Sequence, residues 1–151
     1  MAVSDKDVKN VTITMHSRSA ADGAPDEIEL ITTGIMKRVT RDGVCGFQIA
    51  YDDTEATGFA GSRTIVSCFG ESLATMERTG QAESCLTIER GKKHHCHYGT
   101  PYGDMLLGVF THRIKNDLGE DGGELFLKYT IDINSAFVSE NEVHISVKVD
   151  Q

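Results

Sequence analysis

The chain has 151 residues, of which 39% are apolar and 25% charged, and it carries a net charge of −8 spread evenly over its two halves. This is one domain's length with a globular composition. It offers no basic face for duplex nucleic acid or anionic lipid, so neither nucleic acid nor membrane is expected as a partner. No apolar run approaches the ~20 residues of a membrane-spanning helix. The opening Met1-Ala2-Val3-Ser4-Asp5-Lys6-Asp7 has neither the basic n-region nor the apolar core of a signal peptide, and a cytoplasmic location is expected. There Cys45, Cys68, Cys85 and Cys96 are expected as reduced thiols. They form no Cys-x-x-Cys and are read as small buried hydrophobes.

Residues 1–10 are polar and patternless and read as a flexible leader; residues 11–151 read as a single domain. From Val11 the pattern has period 2, with Val11, Ile13 and Met15 opposed to Thr12, Thr14 and His16, as in a half-buried strand. Ile28 to Val39 is a longer extended run with a bend or bulge expected at Gly34. Asp42-Gly43 signals a two-residue hairpin turn, after which Cys45, Phe47, Ile49 and Tyr51 alternate with their neighbours. Strands follow at Arg63–Phe69, Leu73–Thr79, Glu83–Glu89 and Lys92–Tyr98, separated at Gly70, Gly80 and Gly91. Thr100-Pro101-Tyr102-Gly103 is a β-turn. Met105–Asn116 is a long strand and 117–123 a glycine-acid hairpin loop. Leu125 to Ile133 alternates cleanly, and Val143, Ile145, Val147 and Val149 mark the last strand.

Short strands at this spacing, with no capped window of helical period, predict an all-β domain. Short connections make neighbours in sequence neighbours in the sheet. A meander of that length curls, and closure removes its exposed edges. The expected architecture is a single antiparallel up-and-down β-barrel of about 8–10 strands, preferred to a sandwich.

The segments Glu89-Arg90-Gly91-Lys92-Lys93-His94, Thr100-Pro101-Tyr102-Gly103, Leu107-Gly108, Gly122-Gly123-Glu124-Leu125 and Tyr129 resemble the YwiB-like family. Thr57-Gly58, Thr64 and Met76-Glu77-Arg78-Thr79-Gly80 extend the resemblance to roughly residues 10–149. The run His94-His95-Cys96-His97 is richer in histidine than that pattern, and Phe59-Ala60-Gly61 matches it loosely. The resemblance implies a calycin-like (lipocalin-like) barrel in a bacterial cytosolic setting, and it implies no activity.

Two constellations are candidates for chemistry. In His94-His95-Cys96-His97-Tyr98, His95 and His97 share one strand face and could supply two metal ligands; His94, Cys96 and Tyr98 share the other. A metal centre needs further ligands, from His112, His16 or a carboxylate. The second set is Arg78, Tyr98, Tyr102 and Arg113, read as candidate ligand-binding residues. Arg113 has the parity of Met105, Leu107 and Val109 and is expected to point inward unless a bulge intervenes. An inward arginine needs a buried partner or an anionic ligand. Asp52-Asp53 with Glu55 is read as a solvated loop face. There is no Gly-x-Ser-x-Gly, His-Glu-x-x-His or phosphate-loop motif. No catalytic residue or cofactor is expected. The reading carried forward is a non-catalytic barrel that binds a small molecule. One alternative is a homodimeric interaction module with an apolar patch among Phe59, Phe69, Phe110 and Phe137. The other is a metal-dependent site at His95 and His97.

Overall fold

The computed structural model describes residues 8–21, 25–54, 60–81, 83–100 and 103–150. Ten strands run in sequence: β1 (Val8–Ala20), β2 (Asp26–Arg41), β3 (Val44–Asp52), β4 (Ser62–Phe69), β5 (Leu73–Gly80), β6 (Ser84–Glu89), β7 (Lys93–Thr100), β8 (Gly103–Asn116), β9 (Gly122–Ile133) and β10 (Ala136–Val149). Each pairs antiparallel with the next, and β1 pairs with β10, so the meander closes into a barrel. β1 takes in Val8–Asn10, which pair with Lys37, Met36 and Ile35, so the strand starts inside the expected leader.

Period 2 sets the interior. Val11, Ile13 and Met15 are buried from β1, Leu125, Leu127 and Tyr129 from β9, and Val143, Ile145 and Val147 from β10. The Asp42-Gly43 turn has positive φ at both residues, 50° and 81°, as a tight hairpin matched to strand twist requires.

Gly34 carries no bulge: the ladder runs through it on both sides, from Val11 to Gly34 to Tyr51. Its role is close approach. A Cβ there would run into the Ala50 carbonyl oxygen of β3 and the Ile13 side chain of β1. The register shifts fall instead at Val138, between Phe137 and Ser139, and at His112, between Thr111 and Arg113. The second overturns the expected orientation of Arg113. Leu107, Val109 and Thr111 are buried, the extra residue flips parity, and Ile114 becomes the next inward side chain.

The two ends of the barrel differ. At one end Arg90 N–H donates to Ser72 O, Gly91 N–H to Thr111 O, and the Asn116 amide to Gly70 O. Leu118, in the glycine-acid loop, packs on the core there. At the other end, where β1, β3, β5, β7 and β9 finish and β2, β4, β6, β8 and β10 begin, the interior opens into a cavity. The β6–β7 seam is the thinnest part of the wall. Its one registered pair is Ser84 with Tyr98, and Thr87 N–H donates to the Cys96 sulfur at 3.3 Å.

Candidate ligand-binding cavity

A single cross-strand row builds the floor of the open end. Ladder partners run from Tyr51 (β3) to Thr64 (β4), Arg78 (β5), Ser84 (β6), Tyr98 (β7) and Met105 (β8). Directly paired residues share a face, so inward Tyr51 places Thr64, Arg78, Ser84 and Tyr98 on the interior as well. All five line a cavity of about 210 Å³. Met15, Ile28, Met76, Leu86, Ile131 and Val143 supply its apolar wall, and Ser17, Glu77 and Tyr129 complete its polar lining.

Arg78 is held by a buried network. Its Nε donates to Asp53 Oδ2 at 3.3 Å and to Thr64 Oγ1 at 3.3 Å, and Thr64 Oγ1 donates to the same carboxylate oxygen at 2.6 Å. The Asp53 side chain is 0% exposed and that of Arg78 18%. Asp53 thus leaves the solvated face expected of it: its neighbour Asp52 points out at 82% exposure, while Asp53 continues the inward parity of Ile49 and Tyr51. That parity was the available signal, and the Asp-Asp pair disguised it as loop. A buried arginine balanced by one carboxylate satisfies the pairing requirement without a ligand charge.

The tyrosines respond to the same surroundings. Burial pushes the Tyr51 hydroxyl's pKa up, and the nearby Asp53 charge pushes it further, against smaller opposing effects of Arg78 and the Thr64 hydrogen bond. Tyr51 Oη donates to Met15 Sδ at 3.5 Å. Burial raises Tyr129 to about 12, Arg78 pulling slightly the other way. Tyr129 stands on the inward face of β9 and was not among the candidates; its place in the Leu125–Ile133 alternation marked it as interior.

The other candidates fall elsewhere. Tyr102 and Phe59 lie outside the described residues. Arg113 is exposed on the outer wall, its guanidinium carbon 5.9 Å from the Phe126 ring centroid. His95 and His97 are exposed on the outer face of β7, while His94 bonds Glu89 at 2.8 Å and Cys96 is buried. No group of three His, Cys, Asp or Glu side chains able to hold a metal forms among the described residues. Cys68 and Cys96 are buried as expected, whereas Cys45 and Cys85 are exposed. Of the phenylalanines named for a patch, Phe69 is buried, Phe110 half-buried and Phe137 exposed.

A larger cleft, about 490 Å³, lies on the outer face of β1, β8, β9 and β10, where His16 and His144 are directly opposite. Several of its lining groups are already engaged. Arg18 lies 4.0 Å from Glu27, His144 lies 3.5 Å from Glu124, and Arg113 covers Phe126. The interior cavity, with apolar walls and converging polar groups, has the stronger features of a ligand site.

The family model described as a domain of unknown function (DUF1934) matches residues 11–145. Among solved structures, the chain is similar to the crystal structure of the ywiB protein from Bacillus subtilis, with a TM-score of 0.80 and 20% identity over 97% of this chain and 95% of that one. At that identity the likeness speaks to the fold. No curated protein matches the chain.

Proposed function

The chain belongs to the DUF1934 family, a domain of unknown function, and we propose that this barrel is a non-catalytic receptor for one small molecule held in its open end. The observation that carries the reading is the cavity itself: apolar walls around the Arg78–Asp53–Thr64 network and three tyrosines. At about 210 Å³ it lies below the ~300 Å³ at which ligand pockets usually begin, which limits the occupant to a small compound. Its chemistry favours holding over reacting. The buried carboxylate beside it, Asp53, is engaged by Thr64 and Arg78, the other carboxylate at its lining, Glu77, is exposed, and among the described residues no histidine lines it to activate Ser17 or Ser84. Of the candidate ligand-binding residues, Arg78 and Tyr98 serve this reading.

Native mass spectrometry of protein purified without denaturation, with a thermal-shift screen of small compounds, tests it. A bound mass, or a compound that raises Tm, is expected. Apo protein alone, with no compound raising Tm, would sink the reading. A second reading, a homodimer, draws on Leu106 and Phe137, 55% and 57% exposed at the rim of the open end. It expects a concentration-dependent dimer in light scattering that Phe137→Ser abolishes.

A further inference from the structure

We propose that the occupant is a neutral molecule, with an apolar body and an uncharged hydrogen-bonding head read by the hydroxyls of Tyr98, Tyr129, Ser17 and Ser84. This rests on the reading of the barrel as a small-molecule receptor. It separates that reading from the simpler expectation that an inward arginine clamps an anion.

The first observation is a set of unanswered hydroxyls. Tyr129 is only 6% exposed, yet its hydroxyl has no hydrogen-bond partner among the described residues; nor have those of Tyr98, Ser17 and Ser84. All four line the cavity. They are not sealed into the wall, because among the described residues the one buried side-chain atom fully cut off and unsatisfied is Thr111 Oγ1, in the packed half of the barrel. A hydroxyl that gives up bulk water regains its bonding from whatever enters the cavity. Hydroxyls both donate and accept, so four of them around an apolar pocket suit an alcohol, carbonyl or amide.

The second observation is charge. Arg78 is already balanced by Asp53, whose carboxylate is fully buried and bound by Thr64. A carboxylate ligand would bring further negative charge beside the buried Asp53, into a cavity that Glu77 also lines. Displacing Asp53 from Arg78 would instead leave a buried carboxylate without its cation. Either route penalises an anion relative to its neutral isostere. The raised pKa of the Tyr129 hydroxyl has the same sense: new negative charge is disfavoured at this wall. Met15, Ile28, Met76 and Leu86 then receive the apolar body.

Tyrosine emission reports directly on the site, because the chain has no tryptophan and three of its four tyrosines line the cavity. Cyclohexanecarboxamide and cyclohexanecarboxylate make a matched pair that does not absorb with tyrosine. They are titrated into the whole protein at a pH where the acid is ionised, following emission and Tm. The amide is expected to bind at least about tenfold more tightly, a difference of about 1.4 kcal/mol. Tyr129→Phe and Tyr98→Phe are each expected to weaken it several-fold, with the fold retained in far-UV circular dichroism because neither hydroxyl bonds any of the described residues. Equal or tighter binding of the carboxylate overturns the neutral class and leaves the receptor reading standing. Amide binding unaffected by either tyrosine change overturns the assignment of the head group to these hydroxyls. Failure of both compounds to perturb the tyrosines or Tm, together with a purely apo native mass spectrum, overturns both.

Discussion

Tyr129 and Asp53 show how much of the open end is decided by burial of single polar groups. The Tyr129 phenol is neutral in the folded barrel up to about 12, against 10.0 for the free side chain. Below the lower value the unfolded and folded chains hold the same proton, and the contribution to stability is whole. Between the two the unfolded chain has lost its proton while the folded chain keeps it, so stability falls as pH rises. Two units correspond to roughly 2–3 kcal/mol. Cys68, raised by burial from 9.0 to about 12, acts in the same direction. Denaturant midpoints should therefore drop steadily across the alkaline range. Phenolate absorbance should show late-titrating tyrosine, and Tyr129→Phe should remove part of both effects. Asp53 makes a sharper case. Asp53→Ala takes the buried carboxylate away from a largely buried guanidinium and should cost about 3 kcal/mol, near the low end for a broken buried pair because Arg78 keeps some exposure. The double change Asp53→Leu with Arg78→Met should recover most of that loss in urea titrations; a double variant as weak as the single one would mean that the pair is not the source. Neither role was plain in the residue types. Adjacent aspartates look like loop, and only the continued parity of Ile49 and Tyr51 pointed Asp53 inward.

Alternation made the strands legible because a barrel buries one face of every strand, and Val11-Ile13-Met15 or Leu125-Leu127-Tyr129 can satisfy that demand only in one register. The bulges were not legible. Sequence reasoning placed flexibility at glycine, yet the register breaks at His112 and Val138, where a bulged residue can adopt an ordinary right-handed backbone and needs no glycine. One such residue was enough to turn Arg113 from an interior candidate into an outer-wall cation and to leave Arg78 as the interior one. Gly34 instead lacks a side chain so that β3 can press against β2. Gly34→Val would drive its Cβ onto the Ala50 carbonyl and the Ile13 side chain, at 2.3 and 2.9 Å, and backbone has no rotamer to yield. A loss of about 1–3 kcal/mol is expected, at the upper end. Thermal unfolding checks it; a near-neutral result would mean that β2 and β3 can separate at Gly34 without loss of the barrel.

Closure of β1 on β10 gives the molecule one interior but not one packing regime. The tied end is filled by residues such as Val109, Ile88 and Leu125, each 0% exposed, while the open end keeps about 210 Å³ empty of protein atoms. If that volume were a packing defect, filling it would simply stabilise the fold. If it is a reserved site, filling it removes a function. One substitution made in both halves separates these regimes. Val109→Phe forces an aromatic ring into close-packed core and should cost about 1–3 kcal/mol or more. Val143→Phe places the same ring against the cavity wall, where room exists, and should be neutral or stabilising by up to about 1 kcal/mol. Urea denaturation of both variants measures the contrast. In the same preparations, Val143→Phe should lose the bound mass and the tyrosine response to cyclohexanecarboxamide. A destabilisation of Val143→Phe equal to that of Val109→Phe would mean that the open end collapses around its void in solution, leaving no space for a ligand to occupy.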